Sequence, residues 1–140
     1  DVVKSRAAEQ DIIIMTAAVA DFCPSHPADE KIKKNDSSYE SVIELERTED
    51  ILSYLGAHKA KGQLICGFSM ETQNMLENSK AKLAKKNADM IVANNLKVAG
   101  AGFGTDTNVV TLITADDCTE LEIMDKSCVA ARIMDRLLQM

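Results

Sequence analysis

The stretch that decides the fold runs from Ile12 to Lys34 and reads IIIMTAAVADFCPSHPADEKIKK. Its first residues, with Asp11 as DIIIM, form a continuous β-branched run of the kind that enters a parallel sheet covered on both faces. The run passes into the small residues Ala17, Ala18 and Ala20 and then reaches Asp21. In open α/β sheets, ligands collect beyond the carboxyl ends of the strands, and small side chains let a ligand approach the backbone there. Asp21 has two readings at this point: a hard oxygen ligand for Mg²⁺ that bridges to phosphates, or the cap of a turn. Lys31, Lys33 and Lys34 read either as partners for those phosphates or as a solvated charged face.

Working outward, the stretch DVVKSRAAEQD reads as the tail of a helix leading into that strand. SVIELER, from Ser41 to Arg47, alternates like a half-exposed strand. Thr48 stands as an N-cap before the acidic Glu49 and Asp50, which places a short helix from Ile51 to about Ala57. QLICGF (Gln63 to Phe68) is a second buried strand, closing in GFSMET. A long helix follows from about Gln73 to Asn87, then a strand DMIVA (Asp89 to Ala93) that stops at Asn94 and Asn95. Val109 to Ile113 and Leu121 to Met124 read as strands paired across a turn near Asp116. The last helix, from about Ser127, sets Val129, Ile133, Met134, Leu137 and Leu138 on one face. Strands alternating with helices predict an α/β fold, a Rossmann-like and mostly parallel sheet flanked by helices with a late antiparallel strand pair.

With 140 residues the chain has the length of one domain, assigned to residues 1–140. A hydrophobic fraction of 46% and a charged fraction of 27% fit a globular protein. The formal net charge of −6 argues against a nucleic-acid surface, because phosphate backbones demand a basic footprint. Cys23, Cys66, Cys118 and Cys128 lack C-x-x-C spacing, which speaks against zinc and against a disulfide framework. The absence of a long apolar run or signal segment predicts no membrane association and a cytoplasmic location.

Two further segments invite chemistry. In KAKLAKK, at ~3.6 residues per turn, Lys82 and Lys86 stack on one helix face with Lys85 beside them, while Lys80 points away. The cluster is either an anion site or a solubilising surface. AGAGFG (Ala99 to Gly104) lacks the strand-before and helix-after context of a dinucleotide loop and reads as a plain loop. No G-x-S-x-G elbow or H-E-x-x-H pair is present. A short-chain dehydrogenase is excluded as well, since neither Tyr39 nor Tyr54 is followed at four residues by a lysine.

Taken together, AAVADF (Ala17 to Phe22), EKIKK (Glu30 to Lys34), GFSMET (Gly67 to Thr72), KLAKKNADMIVAN (Lys82 to Asn94) and TDTNVVTLI (Thr105 to Ile113) resemble phosphopantothenate–cysteine ligase. This is the synthetase half of the bifunctional phosphopantothenoylcysteine decarboxylase/synthetase, in the DNA/pantothenate metabolism flavoprotein family. The resemblance implies a ligase of coenzyme A biosynthesis acting on CTP, 4'-phosphopantothenate and cysteine, with Mg²⁺, through an acyl-cytidylate. It implies Asp21 as the nucleotide- and metal-associated aspartate, Lys31 as the catalytic lysine, and Phe68, Lys82 and Lys86 as nucleotide contacts. Thr48, Glu49, Asp50 and Ile51 correspond to an N-P-D-I stretch that approaches the nucleotide. Only Asp50 and Ile51 keep its residue types, so Thr48 and Glu49 are left to act through backbone N–H groups. Other departures are Cys23, where the family often has Arg, and Ser69 and Met70 of the S-M-E-T segment, where it has A-A-E-T.

The family's glycine-rich first strand-turn and its N-x-S-S-G motif do not occur in these residues. The resemblance therefore implies a carboxy-terminal portion, inactive by itself. The family commonly works as a homodimer, and FMN would belong only to a separate decarboxylase domain. The competing reading is a non-catalytic nucleotide-binding or oligomerisation module.

Overall fold

The computed structural model describes residues 2–31, 42–71, 73–95, 98 and 104–140. These form two compact units, one of residues 1–16 and 51–140 and one of residues 17–50. Lys33, Lys34, Ser41, Thr72 and all of AGAGFG except Gly104 lie outside the described residues.

The first unit opens with helix α1 (Val2–Arg6) and a 3₁₀ turn (Ala7–Glu9), as the polar-to-apolar opening predicts. Strand β1 (Ile12–Met15) runs parallel to β4 (Leu64–Glu71), with Ile12 opposite Leu64 and Met15 opposite Gly67. β4 in turn runs parallel to β5 (Met90–Asn95). The direction then reverses: β7 (Val110–Ile113) is antiparallel to β5, and β8 (Cys118–Glu120) is antiparallel to β7. The sheet order is β1-β4-β5-β7-β8, a parallel half continued by an antiparallel pair.

Period-two alternation on β4 divides the core. Leu64, Cys66 and Phe68 face α4 (Lys126–Leu137), joining Met90, Val92, Val110 and Leu112 under Val129, Ile133 and Leu137. Ile65 faces the other way, against Ile13 and Leu55, with Ile51 and Leu52 packed on that cluster. Helix α2 (Ile51–Ala57) lies on this second face. A Cβ on Gly67 would stand 2.7 Å from a Leu52 methyl, so glycine is what allows α2 to approach so closely. Helix α3 (Met75–Lys85) shares the face, held by a buried hydrogen bond of 2.7 Å between the Ser79 and Ser69 hydroxyls.

Among the described residues the buried side-chain polar atoms all have hydrogen-bond partners, as a dry interior requires. Gln63 donates to the carbonyls of Ala7 and Gln10 and so ties the opening helix to β4. Asp89 accepts the Ile65 N–H at 2.7 Å and the Lys59 ammonium at 2.8 Å, fixing the start of β5 beside β4.

Several expectations are corrected. DIIIM does enter a parallel pairing with side chains packed on both faces, Ile12 and Ile14 against the α4-side cluster and Ile13 and Met15 against the other, but β1 stands at the edge of the described sheet and of its four residues only Ile13 is buried. The strand partner within Val109–Ile113 is Cys118–Glu120, and of the expected Leu121–Met124, Leu121 joins it by donating its N–H to the Val110 carbonyl at 2.9 Å. The Thr114–Asp117 turn is closed tightly by the Thr114 N–H on the Asp117 carbonyl, so pairing resumes at once. Met124 belongs instead to β9 (Met124–Asp125), antiparallel to β6 (Thr107–Asn108). On α4, Leu138 lies past the helix and is 71% exposed, and Met134 is also exposed, so the apolar stripe is narrower than its sequence.

In the second unit, β2 (Phe22–Pro24) pairs antiparallel with β3 (Leu45–Arg47). The Arg47 guanidinium lies 5.6 Å over the Phe22 ring. Among the described residues of SVIELER only the last three are strand, all of them exposed, and Val42 and Ile43 precede it as exposed residues. The alternation was therefore a poor guide here, because a strand needs a partner on each stretch and a face to bury.

Candidate nucleotide site

Lys82 and Lys86 are both half-buried, unlike Lys80 and Lys85, which are exposed. This split follows from the i, i+4 spacing, which turns the first pair toward the sheet and α2. The Lys82 ammonium donates to the Phe68 carbonyl at 2.7 Å. The Lys86 ammonium donates to the Ser53 hydroxyl at 3.0 Å. Phe68, Lys82, Lys86 and the first turn of α2, which begins at Ile51, are thus brought together within the first unit. Their roles differ in kind. The Phe68 ring packs into the α4-side core, so its group on the lysine side is the carbonyl. The Ile51 side chain packs beside Leu55 and Ile65, leaving its backbone as the available part.

The two helices are joined again one turn later. The Asn87 side chain donates to the Gly56 carbonyl at 2.7 Å, and a Cβ on Gly56 would fall 1.8 Å from the Lys86 carbonyl oxygen. Asn87 itself takes a left-handed φ of 47°, a conformation asparagine tolerates well. At the carboxyl ends of β4 and β5, Asn94 donates to the Ser69 carbonyl at 3.5 Å and accepts from the Asn108 side chain at 2.8 Å. Ser53, Gly56 and Ser79 lie outside the motifs quoted above, and Ser69 and Asn87 lie within two of them without having been singled out. The one legible sign among them is a serine at position 79, on the inward side of an amphipathic helix.

Asp21, Lys31, Thr48, Glu49 and Asp50 belong to the second unit. Asp21 and Lys31 are exposed. Thr48 does not cap α2. Its hydroxyl donates to the Ala20 carbonyl and its N–H to the Asp21 carbonyl at 3.0 Å, so it fastens the backbone of the A-D-F segment. The helix starts three residues later, at Ile51. Cys23 sits beside Glu46, with its Sγ 3.9 Å from Oε1.

Among the described residues no three His, Cys, Asp or Glu side chains gather as a metal cluster. A single exposed carboxylate, Asp21, suits an ion that draws its other oxygens from phosphates and water, as Mg²⁺ does. A separate groove of about 490 Å³ lies beside β8 and α4, lined in part by Arg132, Arg136, Glu120 and Glu122, and shares no residue with the lysine cluster. No helix among the described residues is long and apolar enough to cross a membrane.

A family profile described as the DNA/pantothenate metabolism flavoprotein C-terminal domain matches residues 1–140. The chain is 48% identical over 128 residues to the coenzyme A biosynthesis bifunctional protein CoaBC of Bacillus subtilis, covering 91% of this chain and 31% of that protein. It is 47% identical over 131 residues to a cysteine/cysteine sulfinic acid decarboxylase of an unknown prokaryotic organism, covering 93% of this chain and 36% of that one. The chain therefore spans about a third of the length of these curated relatives. Among solved structures, the C-terminal domain of a CoaBC protein superposes with a TM-score of 0.75 at 40% identity, covering 99% of this chain and 60% of that chain.

Proposed function

Because the chain belongs to the DNA/pantothenate metabolism flavoprotein C-terminal domain family, we propose that it forms part of the CTP-dependent ligase that joins 4'-phosphopantothenate to cysteine in coenzyme A biosynthesis. The observation that supports this most is the meeting of Phe68, Lys82, Lys86 and the start of α2, four points of the resemblance spread along the sequence. Lys82 rests on a neutral carbonyl, so its positive charge is held in place but not cancelled.

In this reading the phosphopantothenate carboxylate attacks the α-phosphate of CTP. The α–β phosphoanhydride bond breaks and pyrophosphate leaves. The cysteine amine then attacks the acyl carbon, CMP leaves, the amine loses a proton and the amide forms. No protein nucleophile enters either step. The work of the chain is to position the reactants and offset developing charge. Lys82 and Lys86 bind the phosphates, and Lys31 acts on the charge that grows during transfer. Asp21 would hold Mg²⁺, which when bound supplies further neutralisation of the phosphates. The same family habit extends the proposal to a homodimer working in the cytoplasm.

The test uses the full-length encoded protein. Mg²⁺-CTP should raise its melting temperature more than Mg²⁺-ATP, since a ligand at a hundred times its Kd adds about 2.7 kcal/mol. No shift with either nucleotide at millimolar concentration sinks the nucleotide assignment. Lys31→Gln should abolish pyrophosphate release from CTP and phosphopantothenate while leaving the melting temperature unchanged; retained activity removes Lys31 from the mechanism. A CTP-induced shift without any pyrophosphate release would favour the non-catalytic module instead. Carbon dioxide release from cysteine in place of ligation would favour the activity named for the decarboxylase relative.

A further inference from the structure

We propose that Ser53 is a positioning residue for Lys86, holding its ammonium in the direction from which it meets the nucleotide phosphates; the inference rests on the nucleotide reading above. Lysine is a point charge on a flexible stem, and fixing it costs side-chain entropy that is otherwise lost when the ligand binds. A contact that pre-sets the side chain lowers that cost and strengthens binding without touching the ligand. The Ser53 hydroxyl, 3.0 Å from the Lys86 Nζ, provides such a contact. Being neutral, the hydroxyl directs the charge without itself offsetting it.

The backbone beneath the contact is held as well. Gly56 lies three residues after Ser53 on α2, hence on the same face of the helix. It is there that the Lys86 carbonyl abuts α2, so closely that a Cβ would be 1.8 Å away. The neighbouring Asn87 donates to the Gly56 carbonyl at 2.7 Å. Helix α2 therefore grips Lys86 twice, through the main chain at Gly56 and through the side chain at Ser53. The Ser53 contact adds control over where the ammonium points.

A double-mutant cycle in the full-length protein separates this from a purely structural tie. The variants are Ser53→Ala, Ser53→Thr, Lys86→Met and the double Ser53→Ala/Lys86→Met. The readouts are the KM for CTP from pyrophosphate release, the Kd for Mg²⁺-CTP by calorimetry, kcat and the melting temperature. Ser53→Ala should raise KM and Kd roughly three- to tenfold, the range of one ordinary intramolecular hydrogen bond. It should leave kcat within about twofold and the melting temperature nearly unchanged, and Ser53→Thr should restore wild-type values. In the Lys86→Met background, Ser53→Ala should add nothing.

An equal rise in KM with and without Lys86 overturns the proposal, as does an unchanged KM for Ser53→Ala beside a raised KM for Lys86→Met. If Lys86→Met itself leaves KM and Kd unchanged, the nucleotide reading falls and takes this inference with it.

Discussion

At the scale of single residues, Cys66 shows how much burial alone does to a titratable group. Burial pushes its thiol up to about 12, and the negative charge of Asp89 adds to the effect. A folded value above the unfolded one means that the neutral thiol's contribution is fully present below the unfolded value, near ~8.5, and is lost as pH rises toward 12. Denaturant titrations from pH 7 to 10 should therefore show stability falling above about pH 8.5, and Cys66→Ala should remove that slope. If the slope survives in Cys66→Ala, the thiol is not its source. The same burial predicts that iodoacetamide labels the exposed Cys128 in the native state and Cys66 only on unfolding. Much at this scale was legible in the sequence. The i, i+4 spacing singled out Lys82 and Lys86 from four nearby lysines. Their acceptors were not legible, because Ser53 stands 33 residues from Lys86 and no local pattern encodes that contact.

Among the elements, the α2–α3 junction is the most exacting. Gly56→Ala would drive a methyl into the Lys86 carbonyl, so α2 must shift. A loss of about 1–3 kcal/mol is expected from such overpacking, together with weakened nucleotide binding. Chemical denaturation combined with calorimetry checks both, and a Gly56→Ala protein of wild-type stability would mean that the helices are not in this contact. In the β7–β8 hairpin, the Thr119 hydroxyl, the Cys118 N–H and Arg136 hold the Asp117 carboxyl below its ordinary range, against a small opposing effect of burial. Its contribution is present above the unfolded value near ~3.9 and is lost as pH falls through the folded one. The stability gap between wild type and Asp117→Asn should thus stay level from pH 7 to 5 and close below about pH 4; a gap unchanged at pH 3 would rule out the carboxylate as its cause. The elements themselves were readable wherever apolar period and length agreed, as in β4, α3 and α4. They were misread at SVIELER, where alternation occurs without a buried face, and at Leu121–Met124, where the tight Thr114–Asp117 turn starts the pairing of β7 at Cys118, three residues before Leu121.

For the molecule as a whole, the sheet of the first unit is a wall with unlike sides. Leu137 anchors the α4 side and Leu55 the α2 side, and both are almost fully buried. Leu→Ala at either position should cost ~2–5 kcal/mol. Only Leu55→Ala should also weaken CTP binding, because it loosens the helix that bears Ser53; an equal effect of Leu137→Ala on nucleotide affinity would mean that the two sides do not act separately. The sequence announced an α/β sheet with a late antiparallel pair, and the family profile and the CoaBC domain agree with that reading. The division into two units has a trace in composition, because residues 17–50 are more highly charged than what flanks them and hold both prolines, but no linker-like stretch marks its borders.

One feature of this architecture bears on how the chain can vary. The Asn95 N–H donates to the Val109 carbonyl at 3.1 Å, and the Asn108 side chain donates to Asn94 at 2.8 Å. The chain on either side of residues 96–103 is therefore fastened together. Once two ends are held together, doubling the span between them adds only ~0.6 kcal/mol of closure entropy. Insertions there should be tolerated by folding, making this the place where relatives can gain or lose residues while the sheet, and the lysines beside it, stay as they are.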